Sequence, residues 1–525
     1  MSANSPHEIE LKFQLDAAAV SHLRRALAAR LGDEGKVSRL VSTYYDTPDH
    51  RLQAAGVTLR VRTDGPDALV QTVKRSHDPA SALLDREEWE TALTTPEPDF
   101  AAFAATPAGA RLAVRTLTLE PLFDTVVDRC VWAVVREGCR VEVALDRGHV
   151  TAGARIEALA ELELELKEGA PRHLFELVRE LGEIGGLRPG VMTKSDRGFR
   201  VARGTPDRAS KADPPRVVPH MSAGDAFGII VHASLRHFGL NASLVEDRRA
   251  PDALHQARVA LRRLRSALSL FKPVVADADH AELTAALQDL SQVLGRARDL
   301  DVHLSRHVQG ADGPPQDGSG RALYLAEIER RRLVAYDHVV ARLRSPACGA
   351  LLLRLVEWTE AGRWRTDADP RRSKARERPV RRFAAGMLRK RRRRVLRRGR
   401  DLAGLDPEAR HRVRIAAKKL RYAAEFFAGL ARRPKAVRRH RRFVAALEGL
   451  QDTLGTLNDI KTGQDLAASV LADVRARDGA AAEARVATFL ASDPRASRTG
   501  PLLQVAETAH ARLADTRVFW TTWRD

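Results

Sequence analysis

Residues 7–14 read His7-Glu8-Ile9-Glu10-Leu11-Lys12-Phe13-Gln14, with charged or polar and apolar side chains in strict alternation. A period of two marks a β-strand, because successive side chains point to opposite faces. Glu8, Glu10 and Lys12 therefore share one face, and Ile9, Leu11 and Phe13 share the other. Asp16 suits the N-cap of an Ala/Leu-rich helix that runs to about Leu31.

The pattern returns along the first 200 residues. Residues 57–63 set Arg60 and Arg62 opposite Leu59 and Val61, residues 69–74 end on Lys74, and residues 85–91 alternate Arg86, Glu88 and Glu90. Residues 126–135 carry Arg129, and the strand at 140–145 puts Glu142 and Asp146 on one face. Glu161, Glu163, Glu165 and Lys167 line one side of a Glu-Leu-Glu-Leu-Glu-Leu-Lys run, and Lys194 follows further on. Taken singly, each strand fits an antiparallel sheet with a solvated charged face. The ensemble fits poorly, because like charges on one strand repel unless something bridges them.

A sheet closed into a barrel would turn these faces inward. Carboxylates would then hold a divalent cation, while Arg and Lys would hold an anion. Hard oxygen donors suit Mg²⁺ or Mn²⁺, and guanidinium forks and ammonium groups suit phosphate oxygens. A cavity with both would bind a metal–polyphosphate complex and stabilise charge in phosphoryl transfer. The sequence has no Walker loop and no G-x-G-x-x-G turn, so the common nucleotide folds have no support.

Composition narrows the classes. The 525 residues carry 88 Lys+Arg against 68 Asp+Glu, a formal charge of +20, distributed as −5 over residues 1–200 and +25 over 201–525. Residues 351–400 alone hold +14. An acidic front and a basic back are expected, the back seeking a polyanion. At 44% hydrophobic the chain can bury cores, and no apolar run approaches the ~18 residues of a membrane span. The start, MSANSPHEIE, lacks the regions of a signal peptide. Cys130, Cys139 and Cys348 form neither a disulfide framework nor a zinc spacing. The expectation is a cytoplasmic protein with no membrane partner. Only 5% aromatic residues weakens a single-strand nucleic-acid binder.

Glu8-x-Glu10-x-Lys12 resembles the ExExK signature of the CYTH, or triphosphate tunnel metalloenzyme, family. Further matches follow in family order over about residues 5–202: Tyr44-Tyr45-Asp46-Thr47-Pro48, Leu59-Arg60-Val61-Arg62, Thr72-Val73-Lys74, Arg86-x-Glu88, Glu142-x-x-x-Asp146-x-Gly148, Leu162-Glu163-Leu164-Glu165-Leu166 and Thr193-Lys194. The resemblance implies an eight-stranded antiparallel tunnel that hydrolyses a terminal phosphoanhydride with Mg²⁺ or Mn²⁺. Carried over by position, Glu8, Glu10, Glu163 and Glu165 would bind metal. Lys12, Arg60, Arg62, Lys74, Arg86, Arg129 and Lys194 would bind the triphosphate. Glu8, Glu10 and Lys12 are the catalytic candidates, and Glu88 and Glu142 are supporting or metal-linked carboxylates. One acidic group would generate the nucleophile, with no member singled out. Family members act on inorganic triphosphate, thiamine triphosphate, RNA 5′-triphosphate or, in the cyclases, ATP.

Residues 203–219, rich in Pro, Asp and Lys, read as a linker, and beyond them the period becomes helical. His255-Gln-Ala-Arg258-Val-Ala-Leu-Arg262-Arg263-Leu-Arg265 returns as His411-Arg-Val-Arg414-Ile-Ala-Ala-Lys418-Lys419-Leu-Arg421, 156 residues on. Leu294-Gly295-Arg-Ala-Arg298-Asp299 returns as Leu454-Gly455-Thr-Leu-Asn458-Asp459, 160 residues on. Two ordered matches at nearly equal offset indicate duplication, with repeats of about 220–362 and 375–525. At ~100° per residue His255, Arg258, Arg262 and Arg265 fall within about 80°, opposite Ala257, Ala260, Leu261, Leu264, Leu268 and Phe271. A solvated basic face accounts for one such helix. Duplication of the same spacings favours a role, although shared ancestry alone would also preserve them.

This half resembles the CHAD family of conserved-histidine α-helical domains, over about 220–525. The residues that carry it are His255, Arg258, Arg262, Arg263, Arg265, Arg298 and Asp299, then His411, Arg414, Lys418, Lys419, Arg421 and Asp459. The second copy departs from the first, with Lys418-Lys419 for Arg-Arg and Asn458 at the place of Arg298. The resemblance implies two pseudo-symmetric four-helix bundles whose basic channel binds inorganic polyphosphate.

The combined expectation is an α+β multidomain chain, a metal-dependent inorganic triphosphatase joined to a polyphosphate-binding helical domain. Its partners would be inorganic triphosphate and inorganic polyphosphate, with association with polyphosphate granules as a corollary. The alternatives are a polyphosphate-binding protein with little or no catalysis, a CYTH enzyme for another triphosphate, and non-specific nucleic-acid binding through the basic runs 388–400 and 432–442.

Overall fold

The computed structural model describes residues 7–64, 68–76, 83–112, 117–182, 187–205, 208–308, 316–492, 499–521 and 523. Alternating residues in the front half do form strands: β1 (His7–Gln14), β2 (Lys36–Asp46), β3 (Val57–Asp64), β4 (Ala68–Ser76), β5 (Leu83–Leu93), β6 (Glu120–Arg136), β7 (Cys139–Ala152) and β8 (Arg155–Glu168). They pair antiparallel in the order β5-β4-β3-β2-β6-β7-β8-β1, and a β1–β5 pairing closes an eight-stranded barrel. A two-residue strand, β9 (Arg188–Pro189), adds to β1 beside Phe13 and Gln14.

Among the described residues of the front half the helices are α1 (Val20–Leu31), α2 (Arg51–Ala54), α3 (Phe100–Ala105), α4 (Pro107–Leu112), α5 (Arg172–Gly182) and α6 (Lys194–Ala202). The expected N-cap at Asp16 is extended but its side chain makes no capping bond, and a 3-10 turn at Ala17–Ala19 precedes α1. Apolar residues lie on the outside of the sheet. Leu59 of β3 and its cross-strand neighbour Val73 of β4 are buried with Leu52, Phe103 and Ala108 of the covering helices. The alternate residues of the same strands, Arg60, Thr72 and Lys74, line the inside. The barrel therefore keeps its apolar core outside the ring and its charge within.

Between Ala202 and Ala223 the described residues form neither helix nor strand. Beyond them lie α7 (Ala223–Arg248), α8 (Pro251–Val275), α9 (Ala278–Val308), α10 (Gly320–Arg344), α11 (Pro346–Ala361) and α12 (Arg363–Thr366). They are followed by α13 (Pro370–Arg376), α14 (Val380–Arg398), α15 (Pro407–Phe426), α16 (Pro434–Asp478), α17 (Ala480–Ala491) and α18 (Thr499–Asp515), with no strand among the described residues of this half. The repeated helices start alike. Pro251 opens α8, and Pro407 opens α15 behind the Asp406 cap, where proline costs no hydrogen bond. Ala257, Ala260, Leu261, Leu264, Leu268 and Phe271 of α8 are all fully buried, as the wheel requires. In the two copies α8 packs on α9 and α15 on α16, and α8 also meets α15.

Two compact units result. One comprises residues 1–211, 232–244 and 344–365, and the other residues 212–231, 245–343 and 366–525. In the first, Gly239 of α7 lies so close to Val191 that a Cβ would stand 2.7 Å from its methyl carbon, and Gly349 of α11 is as close to the Leu187 carbonyl. These approaches place the 232–244 part of α7 and helix α11 directly on the segment that leads into α6.

Candidate active site

The barrel interior is a cavity of about 450 Å³. Every front residue given a metal- or triphosphate-binding role from the sequence lines it: Glu8, Glu10, Lys12, Arg60, Arg62, Lys74, Arg86, Arg129, Glu163, Glu165 and Lys194, with Glu88 and Glu142 beside them. Register explains the convergence. Glu8 faces Arg86 across β1–β5, while Glu10 faces Glu165 and Lys12 faces Glu163 across β1–β8. Lys194 arrives from outside the sheet. It is the first residue of α6, and Thr193 and Asp196 cap that helix reciprocally.

Buried charge of one sign needs the other close by, and the interior is cross-linked accordingly. Lys74 Nζ donates to Glu8 at 2.8 Å and reaches Glu88 at 3.2 Å. Arg86 donates to Glu10 at 2.9 Å and lies 3.1 Å from Glu8. Arg129 forks onto Asp146 at 2.8 and 2.7 Å and donates to Glu163 at 2.6 Å. Lys12 bonds Glu161 at 3.2 Å and pairs with Glu163. Lys194 contacts Asp146 at 2.7 Å, Glu163 at 2.8 Å and also Glu161. Arg62 pairs with Glu90 at 3.5 Å.

These neighbours set the titration of the groups. Burial works to raise the Glu8 pKa, but Lys74 and Arg86 outweigh it and hold the carboxyl below the ordinary range. Burial and the nearby Glu163 push Glu10 the other way, up to about 7. For Glu163, Lys12, Lys194 and Arg129 overcome burial and keep it well below the ordinary value. Two adjacent carboxyls on facing strands thus differ in affinity for a proton.

The donor set fits a hard divalent cation. Glu10 Oε1 is buried and makes no hydrogen bond, with the Lys12 ammonium 3.5 Å away. Asp146, Glu161 and Glu163 each bring one oxygen within 4.8 Å of the others. This trio overlaps the metal set expected from the sequence only at Glu163. Glu161 and Asp146 were legible as inward carboxylates but carried no assigned role. Lys36, Ser38 and Tyr44 of β2 also line the cavity. Ser38 was not readable in advance, since a serine on an inward face gives no charge signal.

In the second unit the duplicated faces meet. Arg258 donates to the Gly295 carbonyl at 2.7 Å and to Asp299 at 3.0 Å. In the other copy Arg414 lies within the field of Asp459, and the equivalent Gly455 sits below its guanidinium. Burial, then Arg414, Arg262 and Arg258, press the Lys418 pKa down to about 7, so both copies act on one ammonium group. Burial, then Arg298, Arg262 and Arg258, lower His255 to about 4. His411 bonds Asn458 at 2.5 Å. Lys419 feels Arg391, Arg265, Arg394 and Arg398, so one face of α14 continues the basic field.

Not every predicted residue joins this face through its contacts. Arg263 is buried, pairs with Glu425 at 2.8 Å and stacks on Phe426. Arg421 bonds Gln451 at 3.1 Å and Glu425 at 2.9 Å. Both are engaged in packing between helices.

An antiparallel barrel with a mixed acid–base interior, followed in the chain by helices with duplicated His/Arg faces, defines the class. Residues 6–199 match the CYTH domain family and residues 229–468 the CHAD domain family, so the chain is a CYTH domain followed by a CHAD domain. The inorganic triphosphatase of Haemophilus influenzae is 31% identical to it over 199 residues, covering 37% of this chain and 54% of that protein. The chain spans about half the length of that curated relative. The crystal structure of the CHAD domain from the plant Ricinus communis is 28% identical, covering 59% of this chain and 98% of its own, with a TM-score of 0.48. No helix among the described residues is long and apolar enough to cross a membrane.

Proposed function

We propose that the front domain, residues 5–202, hydrolyses inorganic triphosphate to pyrophosphate and phosphate with Mg²⁺ or Mn²⁺. The linker 203–219 would join it to a helical domain over 220–525, two pseudo-symmetric four-helix bundles that bind inorganic polyphosphate. The observation that carries the reading is a cavity in which nine Lys and Arg side chains, the seven assigned to the triphosphate together with Lys36 and Lys167, converge among carboxylates.

A metal–triphosphate complex presents both signs of charge. Its phosphate oxygens would take over the hydrogen bonds of Lys12, Arg60, Arg62, Lys74, Arg86, Arg129 and Lys194. The released carboxylates, Glu8, Glu10, Glu163 and Glu165, would hold the cation, with Asp146 and Glu161 adjacent. When bound, the cation supplies Lewis-acid stabilisation of charge on the phosphoryl oxygens. The fixed cationic ring positions the chain and meets developing charge without reorganisation.

The test is phosphate release from tripolyphosphate by the full chain with each metal. Release that falls by about 10²-fold or more in Glu10→Gln is expected. No release with either Mg²⁺ or Mn²⁺ would sink the enzymatic reading and leave the polyphosphate-binding one. A substrate panel including thiamine triphosphate and ATP separates the remaining alternatives.

A further inference from the structure

We infer that Arg236, in the CHAD part of the chain, is a positioning residue for Lys194 of the barrel cavity. The inference rests on the reading of Lys194 as a triphosphate-binding group.

Lys194 is not on a barrel strand. Its place is set by the segment 187–196, which is fastened on two sides. On one side β9 pairs with β1, and the Gly190 amide donates to the Lys12 carbonyl at 2.7 Å. On the other side stands α7. Arg236 donates to the Val191 carbonyl, and its two terminal nitrogens each lie 3.2 Å from an oxygen of Asp196.

Asp196 is the residue through which this contact reaches the site. Its side chain accepts from the Thr193 amide at 3.0 Å, and the Asp196 amide donates to Thr193 Oγ1 at 3.0 Å. This reciprocal cap fixes the first turn of α6, and Lys194 lies within that turn. From there its ammonium reaches Asp146, Glu161 and Glu163. Burial tends to raise the Asp196 pKa, but Arg236 and the Thr193 amide outweigh it and keep the carboxylate ionised. The fork of Arg236 therefore holds both the carbonyl that precedes the cap and the carboxylate that closes it. A residue outside the matched CYTH segment, 6–199, thereby aims a cation into the CYTH cavity.

A merely stabilising ion pair would look similar, so the test uses a double-mutant cycle on the full chain. Arg236→Ala, Arg236→Lys, Lys194→Ala and Arg236→Ala/Lys194→Ala are compared with the parent in tripolyphosphate hydrolysis, in thermal melting and in amide hydrogen exchange of residues 193–198. Arg236→Ala is expected to raise KM about tenfold with kcat within about threefold. The Thr193 and Asp196 amides should exchange faster, and Arg236→Lys should recover only part, since an ammonium cannot span carbonyl and carboxylate as a fork does. In the Lys194→Ala background the KM effect should vanish. Unchanged exchange and KM in Arg236→Ala, or an equal KM effect with and without Lys194, would overturn the inference. A parent chain without triphosphatase activity would instead refute the functional reading, and the exchange measurement alone would then decide whether Arg236 orders the cap.

Discussion

Arg262 and Arg263 are neighbours in sequence with opposite fates. Arg262 belongs to the basic face that depresses His255 and Lys418, whereas Arg263 lies buried against Glu425 and Phe426. The helical wheel separates a charged from an apolar side, but it cannot say that a long arginine stem will be buried with its head paired. Lys418 offers a sharper consequence. Burial and three arginines hold it down to about 7, so a large fraction is neutral near that pH. A bound polyanion brings the opposite charge, raises the pKa and draws a proton onto the ammonium group. Polyphosphate binding near neutral pH should therefore take up protons, and affinity should fall as pH rises above about 7. Calorimetry in two buffers of different ionisation enthalpy measures the uptake, and Lys418→Met should diminish it. Buffer-independent heats in the parent protein would contradict the assignment.

At the scale of elements, the strands were legible because inward charge alternates with outward Leu and Val. β2 was not, since its residues Lys36–Asp46 place Ser38, Leu40 and Ser42 on a single face and blur the alternation. The duplicated helix was legible from spacing alone. Replacing Arg258, Arg262 and Arg265 of α8 together by Ala should weaken polyphosphate binding and flatten its dependence on salt, since fewer counterions are released. Filter binding across a salt series measures both, and an unchanged slope would mean that the stripe is only solvated. Helix α6 depends on a different device. Gly198 lies against Phe123 of β6, where a Cβ would come within 2.0 Å of the ring. Gly198→Ala should lift α6 from the sheet, costing about 1–3 kcal/mol of stability by overpacking. It should also lower affinity for tripolyphosphate, because Lys194 begins that helix. A melting temperature equal to the parent's would show that Phe123 can give way.

At the scale of the whole molecule, the basic back and the acidic front were evident from charge, whereas which stretches of the chain pack together is set by contacts that charge does not report. The expected linker is 203–219; by contacts, residues 232–244 and 344–365 group with the unit that contains the barrel. No periodicity betrays this, because Gly239 and Gly349 permit close packing without leaving a charge or hydrophobic signal. A fragment ending at residue 204 should melt below the first transition of the full chain. It should also expose the 187–196 segment to proteolysis. Thermal melting and limited proteolysis check this, and a fragment as stable as the parent would show that α11 and the 232–244 stretch only rest on the barrel.

The same division bears on how the chain comes off the ribosome. Strand β1 must wait for both β5 and β8, so the ring cannot close before Glu168 has been made. Its unit is not complete until Arg365 has emerged. Domains generally fold in order from the N-terminus during synthesis, but here the first to begin must be finished late. Over that interval a partly assembled ring, with its charged lining already paired, would be the nascent form most in need of protection.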